Sequence, residues 1–206
     1  MAFIQMQPER EADGLIAELF AADQKTLGYV ANFTRLFARR PVVYAGWRQL
    51  NAAIKANMDP RRYELATLAA ARRLGSSYCA LAHGKVLRDR FYDATAVHGI
   101  VTDHHHAGLD PADVAVMDFA DQMVADAGSV TADNVAVLRA HGLSDSDILD
   151  VALAAAVRCF FSKVLDAMGV EPDAAYRTLL EPELYRVLTV GGPLPPARVP
   201  REGSPA

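Results

Sequence analysis

The long middle of this chain contains almost no proline, and this constrains the fold more than any other feature. Between Pro60 and Pro172 the only proline is Pro111. Alanine-rich segments with helical spacing fill this stretch, and we find no long alternation of β-branched and polar residues of the kind that marks a strand. Because proline breaks helix interiors, its scarcity permits long helices. We therefore predict an all-α domain.

Proline and glycine also mark the expected helix ends. Asp59-Pro60, Asp110-Pro111 and Glu171-Pro172 each place an acidic residue before a proline at the first helical position. Helix ends are predicted at glycines, namely Gly75, Gly108, Gly128, Gly142 and Gly169. The predicted helices cover residues 9–25, 31–39, 41–57, 60–74, 77–92, 94–106, 111–127, 132–141, 145–168 and 172–180.

Composition narrows the class of protein. The chain has 206 residues, of which 51% are hydrophobic, and a net charge of −4. We expect one domain over residues 1–187, with a core of its own. The acidic balance argues against nucleic acid as a partner. The longest apolar run, residues 151–157, is ended by Arg158 and is too short to span a membrane.

Two further features concern location and the chain's end. There are only two cysteines and no apolar leader, so we expect a cytoplasmic, reducing environment.

The last fourteen residues hold five prolines and cannot form a helix. We predict that residues 188–206 are a proline-rich tail, either a free end or an arm that lies on a neighbouring subunit.

One short segment combines residue types that can do chemistry. Helix 60–74 has alanine and leucine on most faces, so it should be largely buried, and Glu64 lies near its start. A buried carboxylate is costly unless it is paired. The simpler alternative is that Glu64 is exposed and interacts with the helix dipole.

The next helix begins after Gly75, with Ser76 or Ser77 as its cap. Cys79 then lies in the first turn, where the helix N-terminus stabilises a thiolate. His83 follows four residues later on the same face, so its imidazole can reach the thiol directly or through one water. Together with Glu64 these groups form a possible proton relay. The alternatives are that Cys79 and His83 are ordinary core residues.

The spacing of these residues resembles a known signature. Glu64, eleven residues, Ser76, two residues, Cys79, three residues and His83 is similar to the Glu-x11-Cys-x2-Cys-x3-His signature of the alkylhydroperoxidase D / carboxymuconolactone decarboxylase family. Ser76 stands where the peroxidase branch has its first cysteine. Residues 154–173 also resemble the second helix of the family's peroxidase-related members, and the resemblance covers residues 10–185 or so.

The resemblance implies an alkylhydroperoxidase D-like helical bundle that assembles into a homo-oligomer. It implies that Cys79 attacks the O–O bond of a hydroperoxide, while Glu64 and His83 remove the thiol proton. It implies no metal and no organic cofactor. In the family's peroxidases the first cysteine resolves the sulfenic acid, and Ser76 cannot do so.

This departure affects the expected cycle. Ser76 can hydrogen-bond a thiolate, but the oxidised Cys79 would need an external thiol reductant or another cysteine. Cys159 is the only internal candidate, and its apolar neighbours predict a buried core residue. Two other functions stay open. One is a cofactor-independent decarboxylase-like enzyme in which Glu64 and His83 act as base and acid. The other is a non-enzymatic protein with a degenerate site.

Several other residues suggest weaker hypotheses. Three consecutive histidines, His104 to His106, point about 100° apart on a helix, so we predict that they do not converge on a metal. Tyr44 and Trp47 are expected to pack in the core or to line an interface or pocket. Four arginines flank the buried helix and are expected to be mainly solvated, with an anionic substrate as a second possible contact; they are Arg61, Arg62, Arg72 and Arg73.

Overall fold

The computed structural model describes residues 2–191, and over this range the chain forms helices and no strand. The all-α prediction is confirmed. The α-helices are α1 (Gly14–Leu27), α2 (Asn32–Phe37), α3 (Pro41–Asn57), α4 (Pro60–Arg73), α5 (Ser77–Arg90), α6 (Ala94–Asp103), α7 (Pro111–Ala125), α8 (Ala132–Ala140), α9 (Asp145–Ala167), α10 (Tyr176–Leu179) and α11 (Pro182–Leu188). Short 3-10 helices lie at Glu9–Glu11, His104–His106 and Ala127–Ser129. Within residues 2–191 none of the helices is long and apolar enough to cross a bilayer.

Helix α4 is the centre of the bundle. It packs against α5, α7 and α9, and every residue from 63 to 71 is buried. Alanines on several faces let the neighbouring helices approach closely, while Leu65 and Leu68 are fully buried between them. Burying a leucine side chain contributes about 1.5–3 kcal/mol. The predicted burial of this helix follows from its composition.

Two ion pairs join the first turn of α4 to α7. Arg61 Nη2 lies 2.7 Å from Asp113 Oδ2, and Arg62 Nε lies 3.0 Å from Asp113 Oδ1. Asp113 is fully buried on α7, so its carboxylate depends on these two partners. The prediction that Arg61 and Arg62 are mainly solvated was therefore wrong. Arg73 also forms an ion pair, with Asp121.

The helix starts were predicted with mixed success. Asp59 and Asp110 cap α4 and α7 as expected, accepting hydrogen bonds from Arg62 N and Ala112 N. No helix begins at Pro172. There the chain is held by the side chain of Asp173, which accepts from Asn32 N at 2.8 Å and from the Tyr78 hydroxyl at 2.5 Å.

Other boundaries differ from the prediction. The first helix is interrupted after Glu9–Glu11 and resumes as α1, and the helix predicted over 94–106 changes to 3-10 geometry at 104. The prediction missed α11 (Pro182–Leu188). Gly75 ends α4 with φ of 68°, and the same left-handed geometry occurs at Gly108, Gly142 and Gly169 but not at Gly128.

Helix α11 closes over α5 at Gly84. A Cβ at this glycine would lie 2.5 Å from Leu188 Cδ2, so the small residue admits the leucine side chain. Leu188, the first residue of the predicted tail, is fully buried. The described chain then continues to Gly191, whose N–H donates to Ser77 Oγ at 3.0 Å. The remainder of the predicted tail, 192–206, lies outside the described residues.

This close approach predicts the effect of Gly84→Ala. Overpacking destabilises a folded protein by about 1–3 kcal/mol. Replacing glycine with alanine inside a helix stabilises it by roughly 1 kcal/mol, so we expect the packing penalty to outweigh this gain. We expect a lower free energy of unfolding, measured by urea denaturation. Gly46→Ala is the matched control, because a Cβ there meets nothing within 4 Å, and it should stabilise the protein. Equal effects at the two glycines would contradict the packing argument.

Candidate active site

Glu64 is buried and paired rather than exposed to solvent. It is 2% exposed, and its two carboxylate oxygens have different partners. Oε2 lies 2.6 Å from His83 Nδ1 on α5, and Oε1 accepts a 3.0 Å hydrogen bond from Lys55 Nζ on α3. Lys55 keeps part of its side chain in solvent. The carboxylate therefore connects a buried imidazole to a cation at the protein surface.

The environment determines the protonation of this pair. Burial opposes ionisation of Glu64, but His83 and Lys55 outweigh burial and lower the pKa of Glu64 to about 2. Burial lowers the pKa of His83, and the positive charge of Arg158 lowers it further, against the opposing effect of Glu64. At neutral pH the pair therefore consists of a carboxylate and a neutral imidazole.

The carboxylate also selects the tautomer of His83. An ionised Glu64 can only accept, so the short hydrogen bond requires the imidazole proton on Nδ1. Thr67 Oγ1 lies 3.2 Å from the same nitrogen and donates its own proton to the Tyr63 carbonyl at 2.7 Å. Nε2 then carries a lone pair and can accept a proton. A histidine that is oriented by a carboxylate and has a free lone pair on Nε2 can act as a general base.

The thiol of Cys79 lies one turn before His83 on α5. Cys79 is the third residue of that helix and is 2% exposed. Its Sγ accepts a hydrogen bond from Arg158 Nη1 at 3.6 Å. A cation next to a cysteine at a helix N-terminus stabilises the thiolate over the thiol. The structure thus places a buried guanidinium beside the Cys79 sulfur.

Arg158 is a buried charge on α9. It is 4% exposed, and its guanidinium lies 5.5 Å from the centre of the Phe161 ring. Burial disfavours its charged form, but Cys79 and Tyr63 outweigh burial and raise the pKa of Arg158. The guanidinium consequently stays charged beside the sulfur.

Ser76 occupies the N-cap position of α5, but its side chain makes no capping hydrogen bond. Its hydroxyl donates instead to Asp166 Oδ1 on α9 at 3.2 Å. Burial raises the pKa of Asp166, and the hydrogen bond from Ser76 opposes that shift. The structure thus gives Ser76 a partner other than the thiol, and it connects α5 to α9.

Cys159 is partly exposed, so its predicted place in the core was wrong. Burial raises its pKa, which disfavours the reactive thiolate. Both cysteines are free thiols. Cys159 directly follows Arg158 on α9, and successive helical side chains point about 100° apart. The two side chains therefore leave the helix in directions about 100° apart.

Two cations of the site were missed in the sequence. Arg158 interrupts the apolar run of a helix that had to be buried, and this isolated charge was the signal that could have found it. Lys55 carried no comparable signal. It precedes Glu64 by nine residues across a helix break, and only the packing of α3 on the bundle brings the two together.

Known structures share this arrangement of helices. An alkylhydroperoxidase AhpD core protein, an uncharacterised peroxidase-related protein from Ralstonia eutropha JMP134, matches with a TM-score of 0.78 and 20% identity over 85% of this chain and 94% of that one. A peroxidase-related protein from Silicibacter sp. TM1040 matches with a TM-score of 0.76 and 23% identity, covering 85% and 93%. This chain has the alkylhydroperoxidase D fold.

The same fold accommodates other named activities. A variant of the debrominase Bmp8, in complex with 2,3,4-tribromopyrrole, matches this alkylhydroperoxidase D-like chain with a TM-score of 0.74 and 15% identity over 87% of this chain and 97% of that one. No family model matches the sequence, and no curated protein matches it. The fold is therefore shared by proteins with different described roles.

The aromatic residues of α3 lie between the core and an apolar groove. Trp47 stacks on Phe161 at 4.2 Å and on Tyr44 at 6.1 Å between ring centres. Trp47 also lines a groove of about 390 Å³ between α3 and α9, with Ile54 and Val157 on its floor. These floor residues pack against Tyr63, whose ring meets His83 edge-on at 6.2 Å. Both predicted roles, core packing and pocket wall, are present.

The buried imidazole predicts a pH dependence of stability. Because the pKa of His83 is below its ordinary value of about 6.5, the unfolded chain takes up the proton first as the pH falls. Stability contributed by neutral His83 is complete above about pH 6.5 and is lost as the pH falls toward the folded-state pKa. We expect His83→Gln to flatten the decline in unfolding free energy, measured by urea denaturation between about pH 7 and pH 5.

The control for this experiment is His98→Gln on α6, which removes a histidine from a different helix. It should decline with pH as the unsubstituted protein does. A decline as steep in His83→Gln as in the unsubstituted protein would show that another group is responsible.

Proposed function

We propose that this protein is a thiol-dependent, peroxidase-like oxidoreductase that reduces hydroperoxides through a sulfenic acid at Cys79. The single observation that supports this most strongly is the contact between the buried Cys79 sulfur and the Arg158 guanidinium at 3.6 Å. A structural cysteine has no need of a buried cation, whereas a nucleophilic thiolate is stabilised by one. We assign the role of base to His83, which follows Cys79 by one turn on α5 and whose ring is held by Glu64.

In the first step His83 Nε2 accepts the thiol proton, and the thiolate attacks the terminal oxygen of the hydroperoxide. The S–O bond forms as the O–O bond breaks, so sulfur loses two electrons and the peroxide gains them. The departing alkoxide takes the proton held on His83 and leaves as an alcohol. Glu64 stabilises the transient imidazolium, and Lys55 and Arg158 balance the negative charges.

In the second step an external thiol reduces Cys79. One thiol molecule attacks the sulfenic sulfur, releasing water and leaving a mixed disulfide. A second thiol attacks that disulfide, restoring the Cys79 thiol and leaving the reductant oxidised. Ser76 takes no part because its hydroxyl cannot form a disulfide. A cytoplasmic location, as the sequence predicts, would provide such thiols, and no cofactor is required.

We also propose that the protein is a homo-oligomer. An apolar strip on α3 and α9 supports this, since its large side chains remain exposed; they are Val42, Val43, Leu50, Leu149, Leu153 and Phe160. Exposed apolar surface of this kind is typical of subunit contacts. The strip borders the groove above Tyr63, so a second copy would also narrow the access to that side of the site.

A second candidate function uses the same residues without the thiol. The Glu64–His83 pair alone could act as base and acid on a small carboxylated or lactone substrate, as in the decarboxylase branch. The short hydrogen bond between them supports this reading. The debrominase relative suggests adding a brominated pyrrole to any substrate panel. If no substrate is turned over, the third reading, a non-enzymatic protein, gains weight.

The decisive test is Cys79→Ser. With hydrogen peroxide or an organic hydroperoxide and an excess of a small thiol, we expect this variant to lose turnover completely, because Cys79 is the thiol that forms the sulfenic acid in the proposed cycle. Cys159→Ser is the matched control and should retain activity, measured as loss of peroxide. Undiminished turnover in Cys79→Ser would contradict the proposal.

Loss of lactone conversion in His83→Ala, with retention of that conversion in Cys79→Ser, would favour the decarboxylase-like function.

The role of the guanidinium is tested by Arg158→Met. A hydrogen bond to a charged group contributes about 1.5–3 kcal/mol, so we expect Cys79 to be oxidised roughly ten- to a hundredfold more slowly at neutral pH. The rate is measured by trapping the sulfenic acid in the Cys159→Ser background. Arg48→Met is the control, since Arg48 lies over the ring of Tyr44. If both arginine variants react at the unsubstituted rate, Arg158 does not activate the thiol.

A further inference from the structure

We propose that His104, His105 and Asp118 form a binding site for a divalent transition-metal ion, with Zn²⁺ as the best-matched probe. This site shares no residue with the Cys79 site and does not depend on the proposed peroxidase function. Two imidazoles and one carboxylate form a ligand set that zinc accepts, with a fourth position left for water or another ligand.

The three side chains converge on one point. His104 Nε2 lies 2.8 Å from Asp118 Oδ1, and His105 Nε2 lies 3.0 Å from the same oxygen. The ligand atoms of all three residues lie within 4.8 Å of one another. Bonds of about 2.0–2.1 Å to a tetrahedral zinc place neighbouring ligand atoms roughly 3.3 Å apart. Small movements of the three side chains would therefore bring their ligand atoms to the distances that a zinc ion requires.

Local structure explains why two histidines converge where the sequence predicted none. Helix α6 changes to a 3-10 turn at His104, and Asp103 caps that turn by accepting from His105 N at 3.1 Å. The rings of His104 and His105 then lie side by side, with centres 4.2 Å apart. His106 turns away and contacts Asp103 at 2.7 Å. His106 is therefore not one of the proposed ligands.

A second carboxylate lies near one of the ligands. Asp103 Oδ1 lies 3.6 Å from His105 Nδ1, on the side of the ring opposite the nitrogen that faces Asp118. A carboxylate behind a ligating histidine is the common arrangement at zinc sites, where it fixes the ring and increases its basicity. The His104 side chain is only 16% exposed, so contacts with its neighbours restrict that ring more than the ring of His105.

The site lies at the edge of a cavity. His105 and Asp118 line a space of about 520 Å³ between α7 and α8, together with Gln122, Asn134 and His141. An ion held by the three ligands would lie next to this cavity, because two of the ligands line it. Polar and apolar walls meet there, which suits a small organic ligand that binds the metal through oxygen or nitrogen.

The test uses untagged protein and Zn²⁺ alone, titrated against a chromophoric chelator. We expect one ion per chain, and we expect His104→Ala, His105→Ala and Asp118→Asn each to weaken binding about tenfold or more. His106→Ala is the matched control from the same run of histidines and should change the affinity less than about twofold. Zn²⁺ should also raise the melting temperature of the unsubstituted protein and of His106→Ala, but not of Asp118→Asn.

Three results would overturn the proposal. The first is absence of one-to-one binding by the unsubstituted protein. The second is equal weakening by His106→Ala and His105→Ala, or no effect of Asp118→Asn, either of which indicates chelation by an exposed run of histidines. The third is loss of binding in the Cys79→Ser/Cys159→Ser double variant, which would place the ion on the thiols. Unchanged circular dichroism confirms that each variant is folded.

Discussion

Burial of residues 63–71 of helix α4 is the constraint on which the rest of this structure depends. Three helices pack around it, so its side chains must be small or apolar, and each polar group on it needs a partner within the protein. Glu64 obtains two, from α3 and α5, and in doing so fixes the positions of Lys55 and His83. The geometry of the candidate site is thus a consequence of satisfying one buried carboxylate.

A buried positive charge, rather than a carboxylate, lies beside the thiol of Cys79. Arg158 enters from α9 as a buried cation, and its guanidinium donates a hydrogen bond to the Cys79 sulfur. Burial lowers the pKa of His83, and the positive charge of the guanidinium lowers it further. Arg158 therefore influences both Cys79 and His83, although of these two it hydrogen-bonds only Cys79.

The sequence predicted what depends on short-range pattern. Spacing brought Cys79 and His83 to one face of α5, and composition indicated the burial of Glu64. Arg158 escaped notice because it meets Cys79 across 79 positions of the chain, and only the packing of α9 determines that contact. The false helix start at Pro172 has a similar cause, since the side chain of Asp173 is held by groups far away in the sequence. Long-range pairing of polar groups was the missing information.

The ion pairs of Asp113 affect how substitutions at this residue would be interpreted. Arg61, Arg62 and Glu64 occupy adjacent turns of the same helix, so the anchor that binds α4 to α7 and the carboxylate that orients His83 move as one body. In a mutational scan scored by activity, Asp113 would rank with the reactive residues although it touches none of them. Co-variation among homologues would likewise join a structural salt bridge to a chemical site, and distinguishing the two requires stability to be measured beside function.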